Sequence, residues 1–274
     1  MPRQPTDTPP TDTYTHGHHE SVLRSHRWRT AENSAGYLLP HLSTGQRMLD
    51  IGCGPGNITC DLARLVAPAN VIGADLAADV IAQATAAIPS DVTNVSFETA
   101  DIYSLRFADA SFDVVHAHQV LQHLSDPVAA LCEMRRVVAP GGVVAARDSD
   151  YQAFTWAPGD PLLRRWLDIY RATAIGNKAT PDAGRYLLGW AQQAGFAHVT
   201  ASASVWCYAD DESRAWWGGL WADRILQSAF ATQSVEQGHT TVEELTEISN
   251  AWRQWSRAGD GWFAVLHGEV LCRD

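Results

Sequence analysis

The sequence predicts an α/β fold, a parallel sheet covered by helices on both faces, and three observations carry that expectation. Short apolar runs alternate with helical stretches between Arg47 and Arg147. The run MLDIGCGPGNIT (48–59) passes from a strand pattern through three glycines into a helix. Turn residues such as Asp109-Ala110-Ser111 and Ala139-Pro140-Gly141-Gly142 separate successive runs. Strands that alternate with helices make crossover units, and crossovers bury both faces of a sheet.

Taken in order, Glu20 to about Leu39 has apolar residues near helical spacing and ends at the turn Ser43-Thr44-Gly45. Arg47–Ile51 reads as a short buried strand, and Asn57–Val66 as a helix. Val71–Asp75 is a second strand, followed by an Ala-rich helix to about Ile88; Val95–Glu98 is a third and Phe112–Ala117 a fourth. A helix is expected from Asp126-Pro127, proline at its first position, to Val138. The Ala139–Gly142 turn should stop it before a fifth strand, Val143–Arg147. Tyr151–Pro181 has mixed character; Asp182–Ala194 reads as a helix and His198–Cys207 as a strand. Asp210–Gly259 reads mostly as helix, and Trp262–Leu271 closes the chain as a strand. All but one of the eleven tryptophans, Trp28, follow position 150. The first half is therefore a general platform and the second half carries what is individual.

The totals narrow the function. A chain of 274 residues suits one large α/β domain with additions. Its net charge of −11 argues against nucleic-acid or anionic-membrane partners, which call for a basic face. The short basic run Arg24/Arg27/Arg29 reads as a solvated helix face. Five scattered cysteines without a C-x-x-C pair form neither a disulfide framework nor a zinc site and suit a cytoplasmic location. The Pro/Thr-rich start lacks the apolar core of a secretory signal, and no apolar run is long enough to span a bilayer. Residues 1–13 are expected to be a disordered tail.

The glycine turn limits the cofactor. No Lys follows it, so it is not a P-loop. A dinucleotide turn would need a third glycine where Asn57 stands. Asp50 at its entrance would also repel a pyrophosphate by about 4 kcal/mol at ~4 Å and an effective dielectric of 20. S-adenosylmethionine has no phosphate. Its ammonium suits Asp50, and its tail can approach Gly52, Gly54 and Gly56 closely. Asp75, ending the second strand, is placed to accept from ribose hydroxyls. Asp101, after the third, is placed near the adenine amino group.

LDIGCGPG, GADL, TADIYSLRFADASFDVVHAHQVLQHL and VVAPGG together resemble the class I S-adenosylmethionine-dependent methyltransferases, nearest to the ubiquinone/menaquinone-biosynthesis-type branch, over about residues 40–150. The resemblance implies a Rossmann-like sheet of seven strands, the last antiparallel. It implies that Gly52, Gly54 and Gly56 cradle the methionyl tail, that Asp75 with Leu76 holds the ribose, and that Asp101 with Ile102 frames the adenine. It also makes residues 210–259 a helical insertion before the last strand. Together with 151–181, that insertion is expected to build the acceptor site on a methyltransferase domain of residues 43–274.

Several candidates remain for the chemistry. His118 and His123 follow the fourth strand, at the sheet edge where ligands bind, and either can take a proton from an acceptor hydroxyl. The competing reading has one line the cofactor site, His118 foremost, and the other hold a loop. His16, His18 and His19 cluster in YTHGHHE but lack a spaced partner set, so no metal is expected. Residues 14–42 read instead as a helical cap and lid, with Tyr14 near the sulfonium. Cys53, within the glycine turn, reads as filler. Trp206, Trp217 and Trp221, with Trp216, suggest an apolar pocket for a flat small-molecule acceptor. A homodimer stays open. The expected function is methyl transfer to O, N or C of a small apolar or aromatic acceptor such as a specialised metabolite or a quinone-like ring. A peptide methyltransferase, a non-catalytic cofactor-binding regulator and an NAD-dependent oxidoreductase are the alternatives.

Overall fold

A computed structural model describes residues 12–17 and 20–274. The expected tail up to residue 11, and His18 and His19 of the histidine cluster, lie outside the described residues. The sheet runs β3-β2-β1-β4-β5-β8, with β7 beyond β8. Its strands are β1 (Met48–Ile51), β2 (Val71–Asp75), β3 (Val95–Thr99), β4 (Phe112–His118), β5 (Val138–Ser149), β7 (His198–Tyr208) and β8 (Trp262–Arg273). The first five are parallel, and β8 is antiparallel to both β5 and β7. An eighth strand, β6 (Thr155–Ala157), pairs with the start of β8, one more than expected. The fifth strand begins earlier than the turn chemistry suggested. Its pairing with β4 jumps from Phe112–Val138 to Val114–Val143, so Ala139–Gly142 is an irregularity within the strand.

Alternation along the strands sends side chains to two cores. Leu49 and Ile51 pack with α5 (Pro127–Val137) and α7 (Leu187–Gln193). Met48, Val114 and Val143 pack on the other side with α3 (Asn57–Val66). A third core is rich in aromatic residues. It joins α6 (Pro161–Gly176) to α8 (Asp211–Gln227), α9 (Ala229–Glu236) and α10 (Val242–Trp255), around Trp166, Trp221, Trp252 and Phe263. The insertion before β8 is thus three helices.

The N-terminal helix is not continuous. It splits into α1 (Glu20–Arg27) and α2 (Ala31–Ala35) because Thr30 adopts an extended conformation and caps α2 in a reciprocal box with Asn33. The break lies at Trp28–Arg29. α4 (Ala78–Ala86) completes the platform.

Candidate active site

One cavity of about 610 Å³ lies at the carboxyl edge of the sheet and runs from the glycine turn to the tryptophans of the insertion. In its first half, Gly52, Gly54 and Gly56 all have positive φ. A Cβ on Gly52 would collide with Val120, and one on Gly56 would sit 2.5 Å from the Phe97 ring. Gly54 differs, because a Cβ there would meet only His26 Nδ1 at 3.7 Å, so its backbone borders open space. The turn is fastened to β2 by Asp75, which accepts from Gly54 N–H and Ala77 N–H, each at 3.1 Å. Asp50 is buried and accepts from Thr59 Oγ1 at 2.5 Å and from His116 Nδ1 at 2.7 Å. Each of its oxygens keeps a lone pair, so an ammonium can still be received. Asp101 accepts from Tyr103 N–H at 2.9 Å, and Leu76 and Ile102 line the same half. Burial pushes the Cys53 thiol well up, which keeps it protonated and inert.

The roof comes from the N-terminus. Asp12, counted in the expected tail, accepts from Ser125 N–H at 2.9 Å and from the Tyr103 hydroxyl at 2.8 Å. Tyr14 lies edge-on to His123 with centroids 4.7 Å apart, and burial raises its hydroxyl to about 12. His16 sits among aromatic rings, edge-on to Trp221 at 6.0 Å. It stacks on Tyr170, whose hydroxyl lies 2.9 Å from Nε2, with the Tyr151 hydroxyl at 3.3 Å. Burial lowers its pKa far below the usual range, so it is a neutral anchor. Among the described residues no group of three or more His, Cys, Asp or Glu is placed to hold a metal. No helix among them is long and apolar enough to cross a membrane.

The second half is aromatic. Trp206, Tyr208, Trp216, Trp217 and Trp221 line it with Trp28 and Phe154. Trp206 donates to the Asn33 carbonyl at 2.6 Å, and the Arg147 guanidinium sits 4.8 Å above its ring. Trp217 stacks on Tyr208 at 4.4 Å. His118 lines the cavity beside the Trp206 ring, with centroids 5.8 Å apart, and is buried with neither ring nitrogen partnered among the described residues. Burial, reinforced by Arg29 and Arg147, holds it neutral. His123 is pushed down to about 3, chiefly by burial and then by Arg29, and its Nε2 lies 3.1 Å from Gln122 Nε2.

The sequence reading missed Arg29. It is not on a solvated helix face; the break after α1 turns it into the cavity wall, where it donates to Gln119 Oε1 at 2.7 Å. Arg24, by contrast, is exposed and pairs with Asp223. Arg224, Gln119 and Tyr151 also line the cavity, and no local pattern marks them.

Residues 49–146 match the family model described as a methyltransferase domain. An uncharacterised methyltransferase of Schizosaccharomyces pombe is 34% identical over 96% of this chain and 97% of its own length. The chain belongs to the methyltransferase family. The ubiquinone/menaquinone-biosynthesis C-methyltransferase of Bdellovibrio bacteriovorus is 35% identical, but over only 36% of this methyltransferase and 43% of that protein. The likeness is one of platform and does not establish the branch. Haemonchus contortus phosphoethanolamine N-methyltransferase 2, solved with S-adenosylhomocysteine, shares the fold at a TM-score of 0.53 and 18% identity, covering 85% of this chain and 50% of that one. The cofactor of this methyltransferase is S-adenosylmethionine. The glycine turn suits it: there is open space at Gly54, a carboxylate at its entrance and carboxylates ending β2 and following β3.

Proposed function

We propose that this methyltransferase modifies an O, N or C nucleophile of a small, flat, apolar or aromatic acceptor, a specialised metabolite or a quinone-like ring. One observation carries the reading: the cavity that begins at the glycine turn continues without interruption to the tryptophan wall. In this reading Gly52, Gly54 and Gly56 border the methionyl tail, and Asp50 receives its ammonium. Asp75, with Leu76, takes the ribose hydroxyls; Asp101 and Ile102 frame the adenine. Tyr14 closes over the sulfonium from the roof, with residues 14–42 as cap. Trp206, Trp217 and Trp221, from β7 and the insertion, cover the acceptor.

Bound S-adenosylmethionine supplies an activated methyl on a sulfonium that is already a good leaving group. The residues then contribute alignment and exclusion of water, worth roughly 7–11 kcal/mol as effective molarity. His118 is the better placed histidine for a proton or hydrogen bond at the acceptor, since it is neutral and its ring nitrogens are uncommitted. His123 is read as holding Tyr14.

The test is a screen of small-molecule extracts with methyl-labelled cofactor, read by mass spectrometry. A labelled apolar or aromatic product is expected. Label found only in peptides, or no label transfer with cofactor bound, overturns the reading.

A further inference from the structure

The acceptor half of the cavity has hydrogen-bond donors to spare. Arg29 Nε–H, Trp217 Nε1–H and Trp221 Nε1–H are buried on its lining residues with no partner among the described residues. All three can only donate. The Tyr208 hydroxyl and both His118 nitrogens are in the same position. Tyr208, His118 and the two tryptophans are each more than nine-tenths buried. An unmade bond there carries a desolvation penalty unless a ligand makes it. No buried side-chain atom that can only accept lacks a partner on the described cavity wall. A complementary ligand must therefore bring acceptor atoms.

Charge points the same way. Arg147, deeper in the structure, has Glu269 as counter-ion at 3.2 Å. Arg29 has none among the described residues, only Gln119 Oε1 and the Trp206 ring, whose centroid is 5.8 Å away. Burial, with Arg224 adding like charge, lowers its pKa to about 10. The four carboxylates of the described cavity wall belong to the other half: Asp50 and Asp75 stand at the glycine turn, and Asp101 and Asp12 accept from Tyr103 N–H and the Tyr103 hydroxyl.

Resting on the aromatic-acceptor reading above, we propose that the acceptor carries an anionic oxygen group on its ring, a carboxylate or phenolate, and that Arg29 is its counter-ion. The tryptophan wall covers the ring while the spare N–H groups receive the oxygens. Cationic amines are disfavoured as acceptors by the same charge.

The probes are naphthalene-2-carboxylate and its neutral isostere naphthalene-2-carboxamide. Each is titrated calorimetrically into protein saturated with S-adenosylhomocysteine. The carboxylate should bind at least about tenfold tighter than the amide, as expected for a charge-assisted pair. Arg29→Gln should erase that preference while leaving S-adenosylhomocysteine affinity and melting temperature near wild type, and Arg29→Lys should restore part of it. Equal affinity for the two probes overturns the proposal and leaves the aromatic reading standing. Failure of both to bind overturns the aromatic reading and the proposal with it. A parallel loss of S-adenosylhomocysteine affinity in Arg29→Gln assigns Arg29 to the cofactor's carboxylate instead, and the proposal falls.

Discussion

Asp75 fastens the glycine turn and, in the proposed complex, also takes the ribose, and Asp75→Ala separates the two roles. Its carboxylate accepts from Gly54 N–H and Ala77 N–H, so it pins the glycine turn to the end of β2. In the proposed complex it also accepts from the ribose hydroxyls. Hydrogen bonds to a charged group contribute about 1.5–3 kcal/mol, so the variant should bind S-adenosylhomocysteine roughly 10–150-fold more weakly. The loss in stability should be smaller. Both amides lie in a part-exposed turn where water replaces the carboxylate, at a cost of about 1 kcal/mol and a melting shift of about 2–4 °C. Calorimetric titration measures the first quantity and thermal unfolding the second. If affinity stays within about twofold of wild type while melting falls, Asp75 only fastens the turn and the ribose assignment is refuted.

Three further outcomes are expected. Trp217→Ala should impair acceptor use, measured as label transfer, with S-adenosylhomocysteine affinity nearly unchanged. Trp221→Ala, in the centre of the aromatic core, should do the same but also lose about 3–5 kcal/mol of stability; equal loss of both ligands in either variant would mark a purely structural role. Residues 14–30 should gain hydrogen-exchange protection on adding S-adenosylhomocysteine, because ordering costs about 1–2 kcal/mol per residue. Deleting residues 1–19 should then cut label transfer far more than melting temperature, and intact transfer would remove the lid role. Stability should fall as pH drops below about 6.5, because His16, His118, His123 and His267 are held neutral by burial and protonate only on unfolding. Asp148, raised to about 7 by burial, opposes them, since its contribution is present at low pH and lost as pH rises through that value. Unfolding near pH 5 should therefore take up about three protons, or roughly 4 kcal/mol per pH unit. A flat stability profile from pH 7 to 5 would refute the buried neutral histidines.

The platform was legible because its signals are local. The glycine turn, the carboxylates at the ends of successive segments and the strand periodicities each lie within a few residues, and the elements follow them closely. The N-terminal break was not legible. Thr30 and Asn33 form a capping box in which asparagine replaces the usual Glu or Gln, so the helical spacing appeared to continue. Arg29 was misread for the same reason, since its direction depends on that break. α6 was hidden in a stretch of mixed character although Asp160-Pro161 supplies both its cap and its first residue. The companions of His16, Tyr151 and Tyr170, stand more than a hundred positions away, and no local pattern joins such distant residues.

The strand β8 also bears on how such a protein can diversify. From residue 267 to 272 it pairs with β5 of the platform, and from 262 to 264 with β6 beneath the aromatic core. Along its other edge β7 runs beside it throughout, and Tyr208 faces Phe263 where the two strands open into the three inserted helices. The insertion therefore leaves and re-enters the sheet at a single paired rung. Side chains of these helices that face the cavity can vary and reshape the proposed acceptor wall, while the core they share with α6 and one unbroken strand keep the two halves of the cavity in register.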